Sequence, residues 1–227
     1  QKSQLLLFNR IGFKILALPG DLFIMLSQDS ADDARKSHSL HHTGHAIPTS
    51  ARFAQAPGLS ATLSREWPRL ADLFERVNRP SLMRCCGVTS ELMASLLRRA
   101  GVDAQTVSCH VTLHSPQGTA HVGRGYARQG QIDSHYVVLT ADSLIDAALA
   151  GLKVIPALID CPEAIAMPRP PGPWRAAECW LTTDIQAIWQ PCPDDAAAAR
   201  QRHTEKMKAA LIMKQWAASG RLPKRLS

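Results

Sequence analysis

The stretch that decides the fold reads Arg84-Cys85-Cys86-Gly87-Val88-Thr89-Ser90-Glu91-Leu92-Met93-Ala94-Ser95-Leu96-Leu97-Arg98-Arg99-Ala100-Gly101. Val88, Leu92, Leu96 and Ala100 recur at steps of four, with Met93 and Leu97 beside them, so a helix from about Thr89 to Ala100 has one buried stripe. Thr89 or Ser90 suits its start, where a hydroxyl accepts from unpaired amides, and Gly101 stands where a helix end wants a positive φ. Cys86 therefore falls at the mouth of this helix. The partial positive charge there favours a thiolate, the attacking form of cysteine, and the same amides can donate to an oxyanion at an acyl carbon.

Downstream the period changes to two. Gln105 to His114 alternates and is β-branched, Ser115-Pro116-Gln117-Gly118 supplies a turn, and Ala120 to Arg128 returns. Ser134 to Leu139 makes a third strand, Thr140 to Ser143 a turn, and Leu144-Ile145-Asp146 opens a fourth. A helix followed by an antiparallel meander implies an α+β fold. Of nine histidines, His135 is the best placed to serve as a general base for Cys86, since it opens a strand. Asp146 lies eleven residues on, across a tight turn, where strand pairing brings it beside His135 to hold the imidazole tautomer. Asp142 competes for that role from within the turn, where Asp also serves local backbone needs. His110, His114 and His121 are alternative bases on the earlier strands, and read as surface or cross-strand residues.

Upstream, Leu63, Trp67, Leu70, Leu73 and Phe74 mark a helix over Ser60–Val77, or one beginning near Trp67 with Pro68 in its first turn. Residues 27–58 read as a flexible linker rich in Ser, Asp, His, Ala, Gly and Pro, and its four histidines at 38, 41, 42 and 45 read as a polar tract rather than a metal site. Residues 1–26 form an amphipathic N-terminal segment: Arg10, Lys14, Asp21 and Pro19-Gly20 interrupt its apolar run, which falls short of a membrane span. A membrane-associated role for residues 4–26 is the competing reading. After Gly151 the pattern loosens, and four prolines between Met167 and Pro173 mark a surface loop. Trp174, Trp180 and Trp189 are expected to pack this region onto the core. A C-terminal helix follows Asp194 or Asp195 through about Ala218, with Met207, Leu211, Ile212 and Trp216 as its apolar side. The expected division is thus 1–26, 27–58, a core domain at 59–191, and a C-terminal helix and tail at 192–227.

The 227 residues are 45% hydrophobic and 20% charged, close to an ordinary globular protein, while aromatics are sparse at 5% and Ala is abundant, which fits helices better than an all-β fold. A net charge of +7 permits an acidic partner such as nucleic acid, but no dense basic run with interleaved aromatics specifies one. The six cysteines form neither a CxxC pair nor a disulfide framework, so reduced thiols in a cytoplasm are the expectation. The sequence contains no cofactor or metal motif.

The run from Cys86 through Leu96-Leu97-Arg98 to Gly101-Val102-Asp103-Ala104 resembles the nucleophile helix of transglutaminase-like proteins, within the papain-like superfamily of cysteine hydrolases. The resemblance spans residues 84–150. His135-Tyr136-Val137-Val138 and Leu144-Ile145-Asp146 stand where that family places its His and Asp, and the register selects Cys86 over Cys85. Polar Thr89-Ser90-Glu91 replaces the family's aromatic residue after the Cys, and Tyr136 follows the His in place of its usual neighbour. The resemblance implies a nucleophile helix on an antiparallel sheet, a Cys86–His135–Asp146 triad, and peptidase, amidase or transfer chemistry through a thioester on a peptide, protein or amide substrate. The alternative is an inactive member of the same fold that binds protein or nucleic acid.

Overall fold

The computed structural model describes residues 13–17, 23–27, 52–77, 85–123, 135–154, 158–169, 172–193 and 196–222. In chain order its elements are strands β1 (Phe13–Ala17), β2 (Phe23–Ser27) and β3 (Phe53–Gln55), then helices α1 (Ala61–Val77) and α2 (Cys86–Arg99). Strands β4 (Gln105–Ser115), β5 (Gly118–Gly123), β6 (His135–Leu139) and β7 (Ser143–Asp146) follow, then a 3-10 helix over Leu149–Val154. Strands β8 (Ala164–Pro168), β9 (Ala177–Trp180) and β10 (Gln186–Pro191) precede helix α3 (Ala196–Ala218). The fold is α+β: one curled sheet in the order β1-β2-β5-β4-β6-β7-β8-β3, with β10 added on β4 and β9 on β10. Every pairing is antiparallel except β3 with β8.

The length of β4 organises the sheet. Residues 105–109 pair with β6, residues 110–115 with β5, and residues 109–114 with β10, so the sheet forks along this strand. At the fork Cys109 is the register partner of both His135 and Pro191, while His110 faces Gly123. A Cβ on Gly123 would lie 2.7 Å from the Cys109 carbonyl oxygen, and its φ is +111°, so only glycine fits this crossing.

Period-two alternation gives the sheet two apolar faces. Val137, Leu139, Leu144, Ile165 and Met167 join Val111, Leu113 and Trp189 in the hollow of the curled sheet. Val138, Ile145 and Ala166 point the other way, into a core shared with α1, α2 and α3. Leu92, Met93, Leu96 and Leu97 are fully buried there, each contributing about 1.5–3 kcal/mol from burial.

Helix α2 opens earlier than its hydroxyl residues suggest. Cys85 is its N-cap, with its carbonyl accepting from Thr89 N at 2.9 Å, and Thr89 and Ser90 are buried inside the helix. The Ser90 hydroxyl is satisfied by the sheet, donating to the Tyr136 carbonyl at 2.7 Å, and so pins α2 to β6. Its C-terminus follows the sequence: Gly101 has φ +80°, with Gly101 N bonded to Arg98 O and Val102 N to Leu97 O. Ser90→Ala is expected to lose about 1–3 kcal/mol in urea unfolding, because it leaves a buried carbonyl without its donor. An unchanged midpoint would show that the clip carries no load.

Several expectations are corrected. Helix α1 runs over the stretch read from Ser60 to Val77 rather than starting near Trp67, and it continues through Pro68 because the buried Leu63, Trp67, Leu70, Leu73 and Phe74 outweigh the one backbone bond a proline removes. The linker drawn at 27–58 contains β3, whose Ala54 is fully buried, and the N-terminal segment holds the hairpin β1–β2 on the edge of β5. The loosened region after Gly151 builds three strands. On α3, Ala209 and Trp216 face inward with Ile212 partly buried, while Met207 and Leu211 are exposed, since α3 turns its small residue toward the core. The histidines at 38–45 and the turn residues 124–134 lie outside the described residues.

Candidate active site

Cys86 is the first residue of α2 and is half-buried. At helix starts the early amides have no carbonyl partner within the helix, so this end presents N–H groups beside the thiol. His135 is the first residue of β6 and is 2% exposed. The clip from Ser90 to Tyr136 therefore fixes the two elements that carry them, one residue beyond His135.

Asp146 ends β7 and is fully buried. Its Oδ2 accepts from His135 Nε2 at 2.7 Å and from Trp189 Nε1 at 2.8 Å, and its Oδ1 accepts from Ala148 N at 2.9 Å. With Nε2 engaged, Nδ1 is the ring nitrogen left for the Cys86 side chain, which hydrogen-bonds to the same imidazole. Burial alone would lower the His135 pKa, but the Asp146 charge and hydrogen bond, with a further contribution from Cys86, raise it to about 10. The imidazolium is thus the resting form at neutral pH.

The structure brings together the three residues singled out from sequence. Asp142 stays in the turn, where its Oδ1 accepts from Ser143 Oγ at 2.8 Å and, with a smaller effect, from Thr140 Oγ1 at 3.1 Å, bonds that hold its carboxyl below the usual range. The other histidines bond across strands: His110 to Gln190 at 2.7 Å, His121 to Thr112 at 3.2 Å and His114 to Thr119 at 3.0 Å. Burial lowers the His121 pKa, helped by the neighbouring His114 and His110.

Trp189 escaped the sequence reading as a site residue. The signal was present, since Gln186-Ala187-Ile188-Trp189-Gln190 alternates and buries Ala187 and Trp189. What brings its indole to Asp146 is the fork at β4, which seats β10 beside the end of β6.

Among the described cysteines none is disulfide-bonded. Burial pushes the thiols of Cys161 and Cys179 up to about 11 and that of Cys109 well above its ordinary value. Burial also raises Cys85, aided by the charges of Cys86 and Glu205. No group of three or more metal-ligating side chains occurs among the described residues, and no described helix is long and apolar enough to cross a membrane.

A thiol, an imidazolium and a carboxylate in series form a relay able to attack an acyl carbon and return a proton to a leaving group. No protein-family model, curated protein or solved structure matches the chain, so the chemical reading stands on this geometry and on the order of its elements.

Proposed function

We propose that the chain is a cysteine-dependent acyl-chemistry enzyme, with α2 and its sheet forming a transglutaminase-like core of the papain-like type. The observation that carries this reading is the single imidazole of His135, bonded through Nε2 to Asp146 at 2.7 Å and on its other side to Cys86.

In this mechanism the Cys86 thiolate attacks a peptide, isopeptide or amide carbonyl, and the α2 amides receive the charge developing on oxygen. The His135 imidazolium gives its proton to the departing amine, leaving a thioester on Cys86. Neutral His135 then takes a proton from water or from a second amine as it attacks, which frees Cys86. Asp146 holds the ring in one tautomer throughout and stabilises each imidazolium. Trp189 and the Ala148 amide position the carboxylate. Hydrolysis and transfer share the first half of this path.

The test is thiol labelling. Cys86 is expected to react with iodoacetamide at pH 7 at least about tenfold faster than Cys109, Cys161 or Cys179, because burial holds those three as neutral thiols. Mass spectrometry of the digested protein reads each site separately. Slow labelling of Cys86, equal to the buried thiols, would overturn the proposal.

A further inference from the structure

Helix α3 lies against α2, and one contact between them bears on the nucleophile. Gly87 follows Cys86 directly, and a Cβ built on it would overlap the Glu205 carboxylate of α3. Glycine at 87 thus makes room for a carboxylate one residue, about 3.8 Å of backbone, from the nucleophile.

The two oxygens of Glu205 differ in their surroundings. Oε1 accepts from Gln201 Nε2 at 3.1 Å, while Oε2 is sealed from solvent and accepts no hydrogen bond among the described residues. The Gln201 carbonyl oxygen is in the same condition. Turning the Gln201 amide around would set its oxygen against the carboxylate, so this orientation is the favourable one. The pair therefore holds two desolvated acceptor oxygens, Glu205 Oε2 and Gln201 Oε1, without a hydrogen bond among the described residues. Burial raises the Glu205 pKa, and Glu91, itself buried and facing Arg98 at 3.7 Å, adds negative charge nearby. Lys208 acts on Glu205 only through its charge from one turn further along α3.

We infer that Glu205, seated over Gly87 and supported by Gln201, is a specificity-determining residue that selects substrates carrying an ammonium or guanidinium group close to the acyl carbon attacked by Cys86. This rests on the acyl-chemistry reading of Cys86. A cation with several N–H donors is the ligand that satisfies both vacant oxygens, and a carboxylate binds it more strongly than it binds a neutral donor. Glu205 is long and only partly buried as a residue, so rotation about its own torsions presents Oε2 to a group bound at the thiol.

The experiment compares two thiol reagents of opposite charge, methanethiosulfonate ethylammonium and methanethiosulfonate ethylsulfonate, on the full chain. The background is Cys85→Ser, a safe replacement because the Cys85 side chain makes no cap bond. In that parent the ratio of the cationic to the anionic rate at Cys86 is the reference, since the His135 imidazolium and the start of α2 act on both reagents in every variant. Glu205→Gln is expected to reduce the rate ratio by about tenfold, the loss of one charge-assisted contact. Gly87→Ala keeps the carboxylate in the chain but displaces it, and is expected to lower the ratio similarly, with no further fall in the double variant. A ratio that stays within about twofold in Glu205→Gln while Cys86 still reacts overturns this inference alone. So does a fall in Glu205→Gln without one in Gly87→Ala, which would mark a diffuse field rather than a seat. If Cys86 in the parent reacts no faster than the buried thiols, the acyl-chemistry reading fails and takes this inference with it.

Discussion

Asp146→Ala is expected to abolish the selective labelling of Cys86 and to lower unfolding stability by about 3–5 kcal/mol. One carboxylate accepts from His135 Nε2, Trp189 Nε1 and Ala148 N, and all three donors lie in the interior. Truncation leaves the imidazole without the charge that keeps it protonated and leaves the indole N–H unpaired, each a desolvated group with nothing in exchange. Asp146→Asn separates the two effects. Its carbonyl oxygen still accepts from Trp189, so the indole stays paired and part of the stability survives, but the charge that holds the His135 proton is gone. Selective labelling is then expected to fall by about tenfold or more, toward the rate of an ordinary thiol, because alkylation follows the thiolate fraction. Urea unfolding and labelling kinetics on the same samples read the two quantities. Normal Cys86 labelling in Asp146→Ala would mean that the carboxylate has no part in activating the thiol.

The residues of this relay were legible in sequence because each lies on a locally specified element. The steps of four from Val88 to Ala100 with Gly101 behind them define α2 without outside help, and the turn at Thr140–Ser143 brings β7 back along β6 within a dozen residues. Trp189 was not legible as a partner of Asp146, because β10 pairs with β4, and Gln186 meets His114 across 72 residues of chain (186 − 114). A short strand owes its existence to the neighbours it packs against, and those are invisible in a local window. The same holds for β3, whose three residues become a strand only through Ala164–Ala166. On α3 the large apolar side chains misled: Ala209 sits in the seam because close approach to α2 favours a small residue, leaving Met207 and Leu211 outside. Glu205 reads in sequence as one more surface carboxylate, and acquires meaning only from the absent side chain of Gly87.

Stability is expected to fall as pH rises from about 6.5 to about 10, with His135 as the principal cause. Its folded pKa of about 10 lies above its ordinary 6.5, so the folded state holds a proton that the unfolded chain has already released across this window. The contribution is complete below about pH 6.5 and is lost as pH climbs through the folded value. At about 1.4 kcal/mol per pH unit, the gap sets a ceiling near 5 kcal/mol. Asp146, and to a lesser extent Cys86, act on this proton, so the loss reports on the contacts of the His135 ring. Lysines, tyrosines and thiols also titrate near pH 10, and the informative quantity is therefore the difference between the parent and Asp146→Ala. Urea midpoints at pH 6, 8 and 10 should converge between the two proteins as pH rises, since the variant has already forfeited what alkali takes from the parent. Parallel declines would place the proton elsewhere and leave His135 a neutral core residue, with no imidazolium to give to a leaving amine.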